Sequence, residues 1–107
     1  MNEGRLIMSL NITKKTGDTT TLVLEGRLDT TTAPELEKVL DEVIPGVKEL
    51  IFDCTDLEYI SSAGLRVILK AQKSIANKGI MKLVHVQEIV KEVFEITGFT
   101  DFLNIED

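Results

Sequence analysis

Two adjacent serines, Ser61 and Ser62, stand where an apolar run gives way to residues of helical spacing, and that position sets the chemistry open to them. Lys48 to Asp53 has the apolar Leu50-Ile51-Phe52 run and length of a strand, Cys54 to Ile60 reads as a polar loop, and Leu65, Ile68, Leu69, Gln72, Ile75 and Ala76 share one helical face. The serines therefore start a helix, where backbone N–H groups lack partners and the macrodipole is positive. An unmodified hydroxyl there caps the helix, whereas a phosphate is a dianion at a position that favours anions. This predicts a serine that works as a switch. A partner packing on the helix start, beside Ala63, Val67 and the loop of Asp29, would bury neutral Ser62 at little cost. Arg66, four residues after Ser62, is within reach of a phosphate on it.

Other chemistry-bearing residues support less. A serine on a strand-to-helix turn with Gly64 two residues on matches half of a Gly-x-Ser-x-Gly nucleophile elbow, with His85 as notional base. Ile60 replaces the first glycine, the chain is short for an αβ-hydrolase core, and His85 falls inside an expected strand, so a small serine hydrolase is the weaker alternative. Asp53, at the end of the third expected strand, suggests a receiver-like phosphoacceptor, but the paired acids after strand one that would bind Mg²⁺ are missing. One cysteine and one histidine make neither an internal disulfide nor a metal-ligand cluster, and Cys54 reads as a small apolar filler. No cofactor is implied.

The elements that must position the serines follow in order. Met8 to Thr13 alternates apolar and polar residues as a strand, Gly17 turns the chain, and Thr19 to Glu25 pairs back antiparallel. Met8 is an alternative start, which makes the first seven residues a leader outside the fold. Thr32-Ala33-Pro34-Glu35 has the form of a capping box, and Leu36, Val39, Leu40, Val43 and Ile44 give the helix its apolar side before Pro45-Gly46 stops it; Glu37, Lys38, Asp41 and Glu42 face water. Consecutive Leu50, Ile51 and Phe52 suggest burial on both faces of the third strand. The serine-bearing helix ends near Asn77, with Gly79 suited to a left-handed position, and Gly64 in its first turn points to a close backbone approach by a strand or a partner. Ile80 to Val86 forms a fourth strand parallel to the third, with Phe52 beside Leu83. A third helix from Gln87 to Thr97 ends at Gly98, and Phe99, Phe102, Leu103 and Ile105 close the chain as a short strand or docked segment.

With 107 residues and 43% apolar content, the chain supports one domain over 1–107 with one core. A formal charge of −6 disfavours nucleic acid and anionic membrane surfaces. No stretch approaches the apolar length of a membrane span and no export signal is recognisable, so a cytoplasmic protein, monomeric when free, is expected.

Gly26-Arg27-Leu28-Asp29, the capped helix, Tyr59-Ile60-Ser61-Ser62-Ala63-Gly64-Leu65-Arg66-Val67-Ile68-Leu69 and Phe94-Glu95-Ile96-Thr97-Gly98-Phe99 occur in the order and approximate spacing of one family. The chain resembles the STAS domain family, and within it the stand-alone bacterial anti-sigma factor antagonists. The resemblance implies an α/β fold, a mixed four- or five-strand sheet with helices mainly on one side in β-β-α-β-α-β-α order. It implies a binding protein and no enzyme. In the partner switch of that family, the unmodified antagonist binds an anti-sigma factor that is also a serine kinase; phosphorylation breaks the complex and a serine phosphatase restores it. Matched to this chain, the phosphoserine is Ser62, with Ser61 a second candidate because it stands where acidic residues are common, and Asp29 is the acidic residue that helps present it. Arg66 departs from the pattern, standing where glycine is frequent. Within the resemblance, a module serving a phosphatase or sensor partner without a sigma factor is the alternative.

Overall fold

The computed structural model describes residues 9–106, so the expected leader and the Met8 start lie outside the described residues. Strands β1 (Leu10–Lys15), β2 (Thr20–Leu28), β3 (Glu49–Ile60), β4 (Ile80–Val84) and β5 (Ile105–Glu106) alternate with helices α1 (Ala33–Val43), α2 (Ser62–Ile75) and α3 (Glu88–Thr97) after the opening hairpin. The mixed five-strand sheet has the sequential order β1-β2-β3-β4-β5, with β1 antiparallel to β2 and every other pair parallel. With strands in sequential order, crossovers of one hand place their helices on one face.

The burial pattern agrees. Leu22, Leu24 and Leu28 of β2 and Leu50, Phe52 and Cys54 of β3 are fully buried, while Val23, Ile51 and Asp53 between them are half-buried on the other face. The expectation that Leu50, Ile51 and Phe52 are covered on both sides is therefore corrected: alternation survives, and only one face carries helices. Phe52 pairs with Leu83, as expected of a parallel β3–β4 crossover.

The largest departure is β3 itself, which runs 12 residues to Ile60 and absorbs the stretch read as a polar loop. Two register shifts against β2, between Val23 and Glu25 and between Gly26 and Arg27, insert extra residues into β3. Such bulges break the period-two pattern, so the buried positions become Cys54, Leu57 and Ile60. Gly26 sits at this irregularity with φ of 110°, where a side chain would be strained.

Two glycine readings are settled by contacts. A Cβ on Gly64 would lie 2.6 Å from Leu28 Cγ and 2.9 Å from the Leu28 carbonyl oxygen, so the close neighbour is the end of β2. Gly79 is not among the glycines of positive φ; its constraint is the Lys48 carbonyl oxygen, 2.2 Å from where a Cβ would sit. Gly98 does end α3 in the left-handed region, with φ of 80°. On α2 the buried face is Gly64, Leu65, Val67, Ile68, Ala71 and Ile75; Gln72 is half-buried and Ala76 exposed, because α1 packs beside α2 and shifts the covered stripe.

Candidate functional site

The site is made where two neighbouring parallel strands end together. Leu28 of β2 pairs with Ile60 of β3, so Asp29 and Ser61 are the next residues of two adjacent exits from the sheet. Carboxyl ends of parallel strands are where open α/β sheets place their binding surfaces. Each exit feeds a helix, and the two helices run side by side.

Ser61 is the N-cap of α2. Its backbone is extended, its N–H donates to the Leu28 carbonyl at 2.9 Å, its carbonyl accepts from Leu65 N–H at 2.9 Å, and its Oγ accepts from Gly64 N–H at 3.3 Å. The hydroxyl of Ser61 is therefore engaged in the cap. Ser62 is the first helical residue, exposed, with its hydroxyl making no hydrogen bond among the described residues. Of the two serines, Ser62 presents an exposed hydroxyl and Ser61 holds the helix start.

Asp29 is fixed by the threonines that follow it. Its Oδ1 accepts from Thr31 N–H at 3.0 Å, Thr31 Oγ1 at 2.8 Å and Thr32 N–H at 3.1 Å, with the Thr32 hydroxyl oxygen 3.2 Å away. Thr31 above all, and the Thr32 contacts with it, hold the carboxyl below its ordinary pKa against the opposing effect of desolvation. Its Oδ2 lies 3.6 Å from Arg27 Nε, and the Arg27 guanidinium stacks 4.1 Å from the centroid of the Tyr59 ring. The Asp29 carbonyl accepts from Thr32 and Ala33 N–H, which caps α1.

The expected capping box is corrected here. Thr32 makes no side-chain cap bond to α1, and its Oγ1 donates instead to the Arg27 carbonyl at 2.7 Å while accepting from Asp29 N–H at 2.8 Å. Thr31 and Thr32 lock the turn, a role that threonines following an aspartate signal as side-chain-bonded turn chemistry.

A groove of about 390 Å³ separates α1 from α2, lined by Thr30, Ala33, Pro34, Ala63, Arg66 and Val67, with Glu37 and Lys70 joined in an ion pair across it. That pair corrects the reading of Glu37 as a purely solvated charge. Ala63 is half-buried, Arg66 exposed and Val67 only 8% exposed, so Val67 is mostly covered by α1 already and offers a partner little surface. Asp29, Ser61, Ser62, Ala63 and Arg66 thus gather at one end of the sheet.

The rival residues do not join them. Asp53 pairs with Val84, which puts His85 level with Cys54 in the middle of β3, whereas Ser62 lies beyond the end of that strand at Ile60. No serine–histidine pair forms. Asp53 lies within β3 with Oδ1 bonded to the Thr55 N–H and hydroxyl, not at a strand end. Among the described residues, no group of three or more His, Cys, Asp or Glu could hold a metal ion, and no helix is long and apolar enough to cross a membrane.

The STAS domain family matches residues 11–107. The Bordetella bronchiseptica protein BtrV is 40% identical over 78 residues, covering 71% of this chain and 67% of BtrV. The anti-sigma-B factor antagonist of Listeria monocytogenes is 30% identical over 104 residues, covering 94% of this chain and 90% of that protein. In structure, an anti-sigma factor antagonist from Mycobacterium paratuberculosis superposes with a TM-score of 0.83 at 18% identity, covering 91% of this chain and 85% of that one, a likeness of fold.

Proposed function

This chain belongs to the STAS domain family, and from that premise we propose that it is an anti-sigma factor antagonist working by partner switching. Unmodified, it binds an anti-sigma factor that is also a serine kinase and so frees a sigma factor; phosphorylated on Ser62, it lets go, and a serine phosphatase resets it. The reading places it in the cytoplasm, with sigma factors. It is a binding protein and no catalytic step is assigned to it. The single observation that carries the reading is the exposed hydroxyl of Ser62 on the first residue of α2, which makes no hydrogen bond among the described residues and lies next to Ala63, a lining residue of the groove that Thr30 of the Asp29 turn also lines.

The physics of the switch is local. Neutral Ser62 can be buried against a partner at little cost, but a phosphate of roughly −1.5 to −2 charges cannot be desolvated against an apolar or acidic surface without losing several kcal/mol. A penalty of about 3 to 4 kcal/mol weakens binding more than a hundredfold. The fold itself tolerates the anion, because the first turn of α2 has unpaired N–H groups and a positive dipole end.

The test is retention of partners from the native lysate on wild type, Ser62→Ala and Ser62→Asp, with mass spectrometry of the partners and of phosphate on the bait. An anti-sigma factor with a kinase domain, held by wild type and Ser62→Ala, lost with Ser62→Asp, and phosphate found on Ser62, is the expected result. Partners indifferent to Ser62, with no phosphate on it, reduce that serine to a helix residue; a retained phosphatase or sensor with no anti-sigma factor redirects the role.

A further inference from the structure

Of the charged side chains that line the groove, Glu37, Lys70 and Arg66, the first two are paired with each other. Arg27 is stacked on Tyr59 and faces Asp29, and Oδ1 of Asp29 is saturated by Thr31 and Thr32. Arg66 lines the same groove, is exposed, and among the described residues makes no ion pair and no hydrogen bond. An unpaired guanidinium beside a shallow apolar floor of Ala33, Pro34 and Ala63 is complementary to a carboxylate flanked by small aliphatic groups. Arg66 is also one turn from Ser62 on the same helix, at the i, i+4 spacing at which side chains meet.

We propose that Arg66 reads the state of Ser62: it is offered to an aspartate or glutamate of the partner while Ser62 is unmodified, and is taken by the phosphate once Ser62 carries one. The inference rests on the partner-switching reading and gives that switch a second arm. Phosphate removes the donor the partner's carboxylate needs, and leaves that carboxylate facing an anion. The occupant of the groove is thus an acidic segment of the partner, and Arg66 sets specificity for it.

Two measurements decide it. Phosphoserine is installed at position 62 by site-specific incorporation, and its phosphate is titrated by ³¹P NMR in chains carrying Arg66, Arg66→Gln and Arg66→Lys. The second phosphate pKa, ordinarily about 6, should be lowest with Arg66, highest with Arg66→Gln and intermediate with Arg66→Lys. The helix end is common to all three, so the difference isolates the side chain; identical titrations overturn the proposal. This arm needs neither a partner nor phosphorylation in the cell, so its result stands apart from the lysate experiment. With the purified anti-sigma factor, calorimetry should show binding weakened about tenfold by Arg66→Gln and further by Arg66→Glu, with one acid-to-lysine change on the partner restoring Arg66→Glu. Unchanged affinity in Arg66→Gln overturns the proposal even where Ser62→Asp abolishes binding.

Discussion

Leu28 and Ser61 are joined by one backbone hydrogen bond, in which Ser61 N–H donates to the Leu28 carbonyl at 2.9 Å. The same carbonyl oxygen lies 2.9 Å from the point where Gly64 would carry a Cβ. One backbone oxygen thus fixes where β2 releases the Asp29 turn, where α2 begins, and which residue is tolerated in the first turn of that helix.

Gly64→Ala is the direct probe of this arrangement. Alanine gains roughly 1 kcal/mol of helix propensity over glycine, but here its Cβ meets Leu28 Cγ at 2.6 Å and Ile60 Cγ1 at 3.0 Å besides the carbonyl. The backbone oxygen cannot rotate away, so overpacking of about 1–3 kcal/mol should prevail. Thermal unfolding is expected to fall by several degrees, and partner binding to weaken because the serines shift with the helix start. A higher Tm for Gly64→Ala would mean that α2 is free to slide away from β2.

Thr32→Val keeps the shape of a buried side chain and removes its hydroxyl. That hydroxyl serves two backbone groups, the Arg27 carbonyl and the Asp29 N–H, and Thr32 is 2% exposed. Leaving both unpaired should cost about 1–3 kcal/mol in urea unfolding, together with faster amide exchange at Asp29. A variant as stable as wild type, with Asp29 still protected, would show that the turn is held by Asp29 alone.

The contrast between Thr32 and Ser61 shows what the chain order discloses. Both stand before a helix and both fit a capping pattern, yet only Ser61 caps by its side chain, because Thr32 is drawn back to the end of β2 by a turn that composition hints at and geometry completes. The helices, the antiparallel hairpin and the place of Ser62 were legible because each depends on local spacing, and the Phe52–Leu83 pairing because a strand–helix–strand crossover joins parallel neighbours. The length of β3 was not, since two bulges convert its second half to a pattern of Cys54, Leu57 and Ile60 that no strand period contains. Nor was the covering of Val67, which depends on where α1 comes to rest against α2.

Asp29 gives a pH test with a definite sign. Its carboxyl is held below the ordinary value of 3.8 by the Thr31 and Thr32 bonds. A group depressed in the folded state contributes stability that is full above the unfolded value and is lost as pH falls through the lower folded one. Asp29→Asn keeps an Oδ1 acceptor and discards the charge. The difference in urea midpoint between wild type and Asp29→Asn should therefore hold steady from about pH 7 to 5 and shrink below 3.8. Asp53, depressed in the same way by Thr55, is common to both proteins and cancels. A difference that grows on acidification would mean that the threonines favour the neutral acid.

Cys54 offers a reading of how rigid the strand behind the site is. Its thiol is fully buried in β3, and burial, with a contribution from Asp53, pushes its pKa up to about 12. Alkylation needs the thiolate, so at pH 8 iodoacetamide should react only with molecules in which β3 has opened. β3 is the middle strand of the sheet, paired on both sides by β2 and β4, and opening it means breaking the core. Labelling in native buffer is therefore expected to be at least about a thousandfold slower than in denaturant, consistent with ordinary domain stability. Small additions of urea should raise the rate with the slope of global unfolding. The bulges beside Cys54 supply the competing possibility, because they leave the ladder locally unpaired against β2. Fast labelling in native buffer, insensitive to low urea, would place a local opening at those bulges, and the strand that delivers Ser61 and Ser62 to the surface would then move independently of the core.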